Sequence, residues 1–259
     1  MYQQPFQPVN KLAQDAQMYD LLANYYKYLD PQKHIYYYQL HFSCMQQLCH
    51  TQAYPLRNSG GNPSHSGGQA KIRVLHASPD APRVDVYIND EKRLENMFYY
   101  QITPYINLPA GTHQVQIYPA GQKNTPVLSE NITIQSGSNY TVAAAGLQKE
   151  LRLVSVVDTT AIPSGKLKAR FLHLSANAPA VDIALAEGDV LFKNISFGNV
   201  SDYLELAPGT VTLEVRLAGT KDVVLTLRNT ELKANQAYTI TAIGLVDGTP
   251  RLEALILQP

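Results

Sequence analysis

The stretch Lys71-Ile-Arg-Val-Leu-His-Ala-Ser-Pro-Asp-Ala-Pro-Arg-Val-Asp85 decides the fold, because the chain contains it twice. The second copy is Lys168-Ala-Arg-Phe-Leu-His-Leu-Ser-Ala-Asn-Ala-Pro-Ala-Val-Asp182, and nine of the fifteen positions are identical at one fixed offset. Unrelated segments of this length would match at about one position, so the chain carries an internal repeat. Downstream, residues 203–210 correspond to 105–112, and residues 238–245 correspond to 140–147.

Each copy has the pattern of short β-strands separated by turns. In the first copy apolar and polar residues alternate around residues 72–76, 84–88, 105–108 and 115–117, and further strands are predicted near 127–134, 139–146 and 150–157. Turn signals such as Ser-Pro-Asp-Ala-Pro and Pro-Ala-Gly fall between them. About seven strands in about 90 residues favour an antiparallel, Ig-like β-sandwich in each copy.

The segment before the repeats has helical spacing. Apolar residues follow a three-and-four pattern from Val9 to Leu29, Asp30-Pro31 interrupts it, and a second stripe runs from Ile35 to Leu48. The sequence therefore predicts a mainly β protein in which two tandem antiparallel β-sandwiches follow a small α-helical hairpin. The predicted boundaries are 1–57 for the Tyr/Gln-rich hairpin, 58–69 for a flexible Gly/Ser linker, 70–160 for the first sandwich and 161–259 for the second.

Charge and hydropathy exclude some partners. The chain has 21 basic and 21 acidic residues and no basic run, so nothing predicts a nucleic-acid or anionic membrane surface. No apolar run approaches the roughly 20 residues of a membrane span. The N-terminus has neither the basic region nor the apolar region of a secretory signal, so none is predicted.

Four polar residues recur in both copies, and they are the candidates for chemistry. They are Arg73/Arg170, His76/His173, Ser78/Ser175 and Asp85/Asp182. A Ser-His-Asp triad is disfavoured, because His76 and Ser78 lie two apart on one extended segment without a nucleophile elbow. We therefore expect no enzyme activity, and interpret the set as structural. Arg73–Asp85 and Arg170–Asp182 are predicted to form cross-strand ion pairs.

The remaining repeated residues have predicted structural tasks. Ser78 and Asp80 are suited to bonding the backbone of their turn. The ring of His76 should hydrogen-bond a loop at the rim of the sandwich. Tyr140 and Tyr238 each open an apolar strand after a small polar turn, where a corner tyrosine ties its hydroxyl to upstream backbone.

One cluster in the N-terminal segment has metal-ligand chemistry, namely His34, His41, Cys44, Cys49 and His50. His41 and Cys44 share a helical face and are the best candidates, but the spacing fits no zinc finger or ribbon. We expect no metal and no other cofactor. The alternative interpretation is that the cysteines are small buried hydrophobic residues and the histidines are polar groups at an interface.

The motifs of residues 73–87, Leu108-Pro-Ala-Gly-Thr112 and Tyr140-Thr-Val-Ala-Ala-Ala-Gly146 resemble the bacterial domain of unknown function 4397 (DUF4397), over residues 70–259 in two copies. The resemblance implies a β-sandwich module of secreted and envelope proteins, with no established catalytic residues. The second copy departs from it at Ala176-Asn177, where the first has Pro79-Asp80. The Tyr/Gln-rich hairpin is loosely similar to spore-coat proteins of Gram-positive bacteria.

These observations favour a non-enzymatic structural or interaction protein of the bacterial cell envelope or spore surface, with a protein partner or self-association through residues 1–57. A cytoplasmic location is the alternative. The competing function is a carbohydrate-binding module that uses exposed aromatic residues. Its candidates are Tyr87, Tyr99, Tyr100 and Tyr118.

Overall fold

A computed structural model describes residues 9–27, 29–30, 33–35, 37–38, 40–41, 44–45, 68–186 and 188–259. The chain divides into two compact units, Met1–Ser64 and His65–Pro259. The second unit contains both copies of the repeat.

The first repeat forms a sandwich of two four-stranded sheets. Its strands are β1 (Gln69–Ala77), β2 (Val84–Ile88), β3 (Glu91–Met97), β4 (Ile106–Pro109), β5 (Gly111–Pro119), β6 (Leu128–Ile134), β7 (Asn139–Ala145) and β8 (Arg152–Asp158), with a 3-10 turn at Gln148–Glu150. One sheet has the order β4-β1-β7-β8 and the other β3-β2-β5-β6. Neighbours are antiparallel except β1 and β7, which run parallel.

The second repeat has the same topology. Its strands are β9 (Leu167–His173), β10 (Val181–Leu185), β11 (Val190–Ile195), β12 (Leu204–Leu206), β13 (Gly209–Leu217), β14 (Val223–Leu232), β15 (Ala237–Ile243) and β16 (Glu253–Leu257). The sheets have the orders β12-β9-β15-β16 and β11-β10-β13-β14, again with one parallel pair, β9 and β15. The predicted fold class, two tandem sandwiches after a helical hairpin, is confirmed.

Two details differ from the prediction. Each sandwich has eight strands, and the additional one in the first repeat is β3, whose only buried residue is Met97. An exposed edge strand carries little hydrophobic alternation, so its pattern is weak. The parallel pair arises because the turn after β1 sends the chain to the opposite sheet, and β7 then returns beside β1 in the same direction.

Each sandwich has its own core. In the first, Ile72 and Val74 of β1 pack with apolar residues of the facing sheet, including Val86 and Ile117. In the second, Phe171 takes the corresponding place and packs with Ile183 and Val215.

A third apolar layer joins the two sandwiches. It combines residues of the first repeat with residues of the second, namely Leu75, Ala77, Ala143, Ala145, Val154, Val156, Leu172, Leu174, Ile243 and Leu257. Sheet β4-β1-β7-β8 therefore packs face to face on sheet β12-β9-β15-β16, and the four sheets form four layers. The sequence predicted a separate core for each copy, and the structure adds this shared one. We call the contact between the two inner sheets the seam.

The N-terminal unit is a helical hairpin, as predicted. Helix α1 spans Val9–Tyr26, and the described residues from 33 to 45 are helical. The Nδ1 atoms of His41 and His34 lie 2.8 Å from the carbonyl oxygens of Ala16 and Ala23 respectively, so the two segments run antiparallel.

The hairpin buries little and exposes an apolar stripe. The core of its described part consists of Ala16 and Cys44, with Tyr19 partly buried against them. On α1 and just beyond it, four large apolar side chains at three- and four-residue spacing are exposed, Met18 45%, Leu21 71%, Tyr25 64% and Leu29 68%. We call these four residues the apolar stripe. None of the described helices is long and apolar enough to cross a membrane.

Candidate functional site

The repeated arginines lie at the seam, where each crosses from its own sandwich to the other. Arg73 donates through Nε to Thr141 Oγ1 at 2.9 Å, and Arg170 donates equally to Thr239 Oγ1 at 2.9 Å. The Nη1 atom of Arg73 then donates to the carbonyl oxygen of Gln258, and that of Arg170 to the carbonyl oxygen of Val157 at 2.8 Å.

These contacts are related by a pseudo-two-fold axis. Tyr140 pairs with Val157 across β7 and β8, and in the second repeat the register of β15 and β16 places Gln258 opposite Tyr238. Val157 and Gln258 are therefore equivalent positions, and each arginine bonds the equivalent carbonyl of the other copy. The seam is arranged like the isologous interface of a symmetric dimer, with the same surface contributed twice.

Asp158 breaks this symmetry. Its buried carboxylate accepts hydrogen bonds from Arg170 Nη2 at 2.7 Å, Tyr105 Oη at 2.6 Å and Thr141 Oγ1 at 2.6 Å. Arg73 Nη2 lies 3.6 Å from the same group. The equivalent position in the second repeat is Pro259, whose side chain is uncharged, so the carboxylate of Asp158 serves two buried guanidinium groups.

Burial dominates the electrostatics of this cluster. It raises the pKa of the Tyr105 hydroxyl, and the hydrogen bond to Asp158 raises it further. Burial also lowers the pKa of the Arg170 guanidinium, against the opposing effects of Tyr203 and Asp158. Such a network is worth little against well-packed apolar residues, but removing its single anion leaves buried cations uncompensated.

The predicted ion pairs Arg73–Asp85 and Arg170–Asp182 are wrong. β1 and β2 belong to different sheets, because the Ser-Pro-Asp-Ala-Pro turn crosses between sheets instead of forming a hairpin. The arginines consequently face the seam, while the aspartates lie on the far sheet of each sandwich.

Asp85 and Asp182 instead accept hydrogen bonds from backbone N–H groups. Asp85 accepts from the N–H groups of Asn96 at 2.8 Å and Gly121 at 3.2 Å. Asp182 accepts from Asn194 at 2.7 Å and Gly219 at 2.9 Å, the equivalent positions. Asn96 and Asn194 have φ of 55° and 53°, and lie where β3 and β11 slip in register against their neighbours. Each aspartate thus fixes a bulged strand and a turn.

The predicted tie of the repeated histidine to a loop is confirmed. The Nε2 atoms of His76 and His173 lie 3.2 and 3.1 Å from the carbonyl oxygens of Pro82 and Pro179, within the turn that follows each histidine. Burial lowers the pKa of both rings, although their backbone hydrogen bonds act in the opposite direction. His173 Nδ1 also accepts from the Ser175 N–H at 3.3 Å.

Ser78 and Asp80 do not bond their own turn backbone as expected. Ser78 donates to Asp80 at 3.4 Å, and Asp80 accepts from the Gln148 N–H at 2.8 Å, in the loop after β7. In the second repeat Asn177 replaces Asp80 and accepts from the Val246 N–H at 2.9 Å in the corresponding loop. Ser175 donates to the carbonyl oxygen of Gly244 at 2.7 Å. The departure at Ala176-Asn177 therefore keeps the same loop contact.

The two corner tyrosines are placed as predicted. Tyr140 Oη accepts from the Gln135 N–H at 3.0 Å, and Tyr238 Oη accepts from the Lys233 N–H at 2.8 Å. In each repeat the hydroxyl reaches back five residues to the turn before its strand. The tyrosine therefore closes the corner between the two sheets.

A cleft of about 470 Å³ opens at one side of the seam and is lined by both sandwiches. Asp158 and Arg170 lie at its base, and Val157 and Val200, 51% and 36% exposed, lie on its rim. The guanidinium of Arg170 stacks 4.4 Å from the ring of Tyr203. The charged groups at the base, Asp158 and Arg170, are hydrogen-bonded to each other. The base of the cleft is therefore an ion pair whose charges already compensate each other.

The proposed platform of exposed tyrosines is wrong. Tyr87 and Tyr118 are 6% exposed and form an edge-to-face pair at 5.1 Å, with Lys123 4.6 Å above the ring of Tyr87. Tyr99 and Tyr100 are half-buried against the shared core at the seam. These four rings face two different parts of the molecule and form no common flat surface.

The described residues contain no group of three or more His, Cys, Asp or Glu side chains that could hold a metal ion. His41 bonds the Ala16 carbonyl, and the Cys44 thiol is buried against Ala16, where desolvation and then Asp15 raise its pKa. Cys49 and His50 lie outside the described residues.

Sequence reasoning missed Asp158 and its partners. Thr141 and Thr239 recur in the matching Tyr-Thr blocks, so they could have been found. Asp158 occurs in only one copy, so the comparison of the repeats gave it no weight. The arginines were singled out, but their partners could not be assigned before the sheet order was known.

Comparisons with known proteins identify the family. A search of curated proteins gave no significant match. Among solved structures, the Bacillus anthracis TIE protein matches at 14% identity and a TM-score of 0.21, covering 70% of this chain and 34% of that one. A candidate cell adhesion protein from Bacteroides fragilis NCTC 9343 matches at 10% identity and a TM-score of 0.19, covering 73% of this chain and 97% of that one. The model of a domain of unknown function, DUF4397, matches residues 70–184 and 184–258, and the chain belongs to this family.

Proposed function

We propose that the protein is a non-enzymatic structural or interaction protein of the bacterial cell envelope or spore surface. The two sandwiches serve as one body, and the N-terminal hairpin serves as the docking element. The observation that carries the proposal is that the repeated polar residues, apart from Ser78, bind backbone groups or close the seam, and Ser78 bonds Asp80, which itself binds backbone. A residue that recurs in both copies with the same backbone partner has a structural task in each.

The geometry of the Ser, His and Asp residues supports a structural interpretation. The Nε2 atom of His76 faces the Pro82 carbonyl, and Ser78 donates to Asp80. Asp85 lies on the other sheet and pairs with Lys92 at 2.9 Å. A catalytic triad needs the serine hydroxyl to donate to the histidine and the histidine to donate to the aspartate, and this arrangement differs at both links.

The apolar stripe of α1 supports docking through the hairpin. The described part of the hairpin has a small core, so the hairpin gains stability by covering such a face. Met18, Leu21 and Tyr25 have the spacing of one face of α1, as a helix-to-helix contact requires, and Leu29 lies in the turn just beyond the helix. We propose a second copy of the hairpin as its first partner, since the same stripe then serves both sides.

The proposed location rests on the resemblance to secreted and envelope modules and on the Tyr/Gln-rich composition of residues 1–57. Fractionation of the native source tests it directly. Recovery in the envelope or spore fraction is expected, whereas recovery in the cytoplasm alone would contradict this location.

Light scattering on the full chain tests the docking element. We expect an oligomer at about 50 µM that dissociates in Leu21→Ser/Leu29→Ser, because both changes remove apolar area from the stripe. Val223→Ser, which alters an exposed apolar residue on β14, is the matched control and should leave the oligomer intact. A monomeric wild-type chain that binds envelope or spore fractions no better than the double variant would overturn the docking role.

A further inference from the structure

The pseudo-two-fold axis of the seam relates two residues of opposite charge, which occupy equivalent positions in the two copies. Arg152 lies opposite Ala145 across β7 and β8, and Glu253 lies opposite Ile243 across β15 and β16. Ala145 and Ile243 are equivalent in the repeat, so Arg152 and Glu253 occupy equivalent positions. Each faces the loop that follows the third strand of the other sandwich.

In one half of the seam the arginine is bound by that loop. The guanidinium of Arg152 stacks 4.3 Å from the centre of the Phe197 ring and donates to the Phe197 carbonyl oxygen at 3.0 Å. Gly198 leaves room for it, because a Cβ atom there would come within 2.4 Å of Arg152 Nη2. An aromatic ring, a carbonyl group and a close approach of backbone together hold a guanidinium group.

The other half has the aromatic groups without the cation. Tyr99 and Tyr100 take the places of Phe197 and Gly198, and their rings meet edge to face at 6.0 Å. Backbone hydrogen bonds fix the equivalence, because Tyr100 N and Gly198 N donate to the carbonyl oxygens of His76 and His173. Tyr100 has a φ of 76°, close to the 82° of Gly198, so its side chain projects from a position shaped for glycine.

Glu253 supplies the charge on this side. The register of β16 places Glu253 where Arg152 stands in the other half, and the symmetry of the seam therefore sets it toward the loop of Tyr99 and Tyr100. Burial, and then the carboxylate of Glu253, raise the pKa of Tyr100 to about 12, which agrees with this placement. No ion pair to Glu253 is found among the described residues. The hydroxyl of Tyr99 is buried and likewise has no hydrogen-bond partner in the described part of the chain.

We infer that Tyr99, Tyr100 and Glu253 form a binding site for an arginine side chain of a partner protein. The carboxylate would accept from the guanidinium while its plane lies against an aromatic ring, as Arg152 lies against Phe197. The Cβ atom of Tyr100 occupies part of the space that Arg152 uses in the other half. The incoming group therefore lies further out on the seam, where a partner can reach it.

This site goes beyond the proposed function, because it lies on the sandwiches and needs neither the hairpin nor its oligomer. Its failure and that of the docking role are separable. Loss of the oligomer in the stripe variant says nothing about Glu253, and loss of arginine binding in a Glu253 variant says nothing about the stripe.

Amide NMR on the isotope-labelled full chain tests the site, with N-acetyl-arginine amide as the probe. We expect saturable shifts at residues 99–101 and at Glu253, with a dissociation constant in the millimolar range that is usual for one small group. N-acetyl-citrulline amide, which has the same shape without the charge, should give no saturable shift. An Arg-containing pentapeptide should bind at least as tightly as the amide, as expected for a protein-borne side chain.

Charge reversal identifies the residue. Glu253→Arg should weaken binding at least tenfold, and Glu253→Gln several-fold, while the dispersion of the spectrum reports an intact fold. Glu205→Arg is the matched control, since it makes the same change of net charge on another exposed glutamate and should leave the titration unchanged. The proposal is overturned if the arginine amide gives no saturation by about 50 mM, a concentration at which a site with a millimolar dissociation constant is almost fully occupied. Equal shifts from the citrulline amide, or equal losses in the Glu253 and Glu205 variants, would overturn it too.

Discussion

The two sandwiches agree in how they hold their backbones and differ in how they meet. Both use the same aspartate on a bulge and a turn, the same histidine on a proline carbonyl and the same corner tyrosine. At the seam the place that Asp158 has in the first copy is taken by Pro259 in the second, and the place of Arg152 is taken by Glu253. The shared contacts stabilise the fold of each single sandwich. The residues that differ lie where the two sandwiches pack against each other.

The largest effect is expected at the asymmetric residue. Asp158→Ala leaves two buried guanidinium groups without their carboxylate, so the free energy of unfolding should fall by about 3–5 kcal/mol. Urea denaturation monitored by circular dichroism measures it. Asp202→Ala, at an exposed aspartate on the same cleft, is the control and should change the free energy by less than about 0.5 kcal/mol. A loss below about 1 kcal/mol in Asp158→Ala would contradict a central role for this group.

The repeated aspartates come next, and they should behave alike. Asp85→Ala and Asp182→Ala each leave two backbone N–H groups without their charged acceptor, at a cost of about 2–3 kcal/mol. Asp85 has the additional partner Lys92, but the side chain of this lysine is 35% exposed, so its contribution is screened. We expect the two losses to agree within about 1 kcal/mol, and Lys92→Met to have a small effect that becomes smaller at high salt. A much larger loss at Asp85 alone would show that the ion pair, and not the bonds to backbone, is the main stabilising contact of this aspartate.

Acid should weaken both sandwiches through their buried histidines. Burial lowers the pKa of His76 and His173, so below about pH 6.5 the unfolded chain takes up protons that the folded chain refuses. Stability is therefore complete above the unfolded pKa and falls with pH, by up to about 1.4 kcal/mol per pH unit for each histidine. Urea titrations between pH 7.5 and 5 measure the slope. His76→Gln and His173→Gln should each flatten it, and an unchanged slope in both variants would show that other groups carry the dependence.

The smallest effect is expected at the corners. Tyr140→Phe and Tyr238→Phe each remove an acceptor from one backbone N–H, and we expect a loss of about 1 kcal/mol in either copy. Tyr87→Phe is the control, because the described residues offer its hydroxyl no hydrogen bond, and it should change little. Thermal denaturation resolves these differences. A loss in only one of the two corner variants would mean that the repeats do not share this tie.

Much of this fold could be predicted from the sequence, because repetition and alternation are local signals. The offset between Asp85 and Asp182 gave the repeat, and the alternation of Ile72 and Val74 with Arg73 and Leu75 gave the strand. The tasks of His76, Tyr140 and Tyr238 followed from their places beside turns. In each of these cases the partner lies within six residues along the chain.

The seam could not be predicted, because its contacts span long separations. Arg73 reaches Thr141 and Gln258, which are 68 and 185 residues away. The pairing of Arg73 with Asp85 was wrong because it assumed that consecutive strands are neighbours, whereas β1 and β2 lie in different sheets. Leu75 and Leu172 put an apolar residue on the same face of the strand as Arg73 and Arg170, which was a signal that both faces are covered. The structure shows that both leucines are completely buried, but the sequence alone does not say against what.

The central claim is that the shared layer makes the two sandwiches one cooperative unit. Hydrogen exchange under native conditions in Ile117→Ala tests it most directly, since Ile117 belongs only to the core of the first sandwich. If the claim holds, the amides of β15 in the second sandwich lose as much protection, expressed as free energy, as those of β7 in the first, about 2–4 kcal/mol. Loss of protection confined to the first sandwich, with β15 unchanged, would show that the copies unfold separately and would contradict the account.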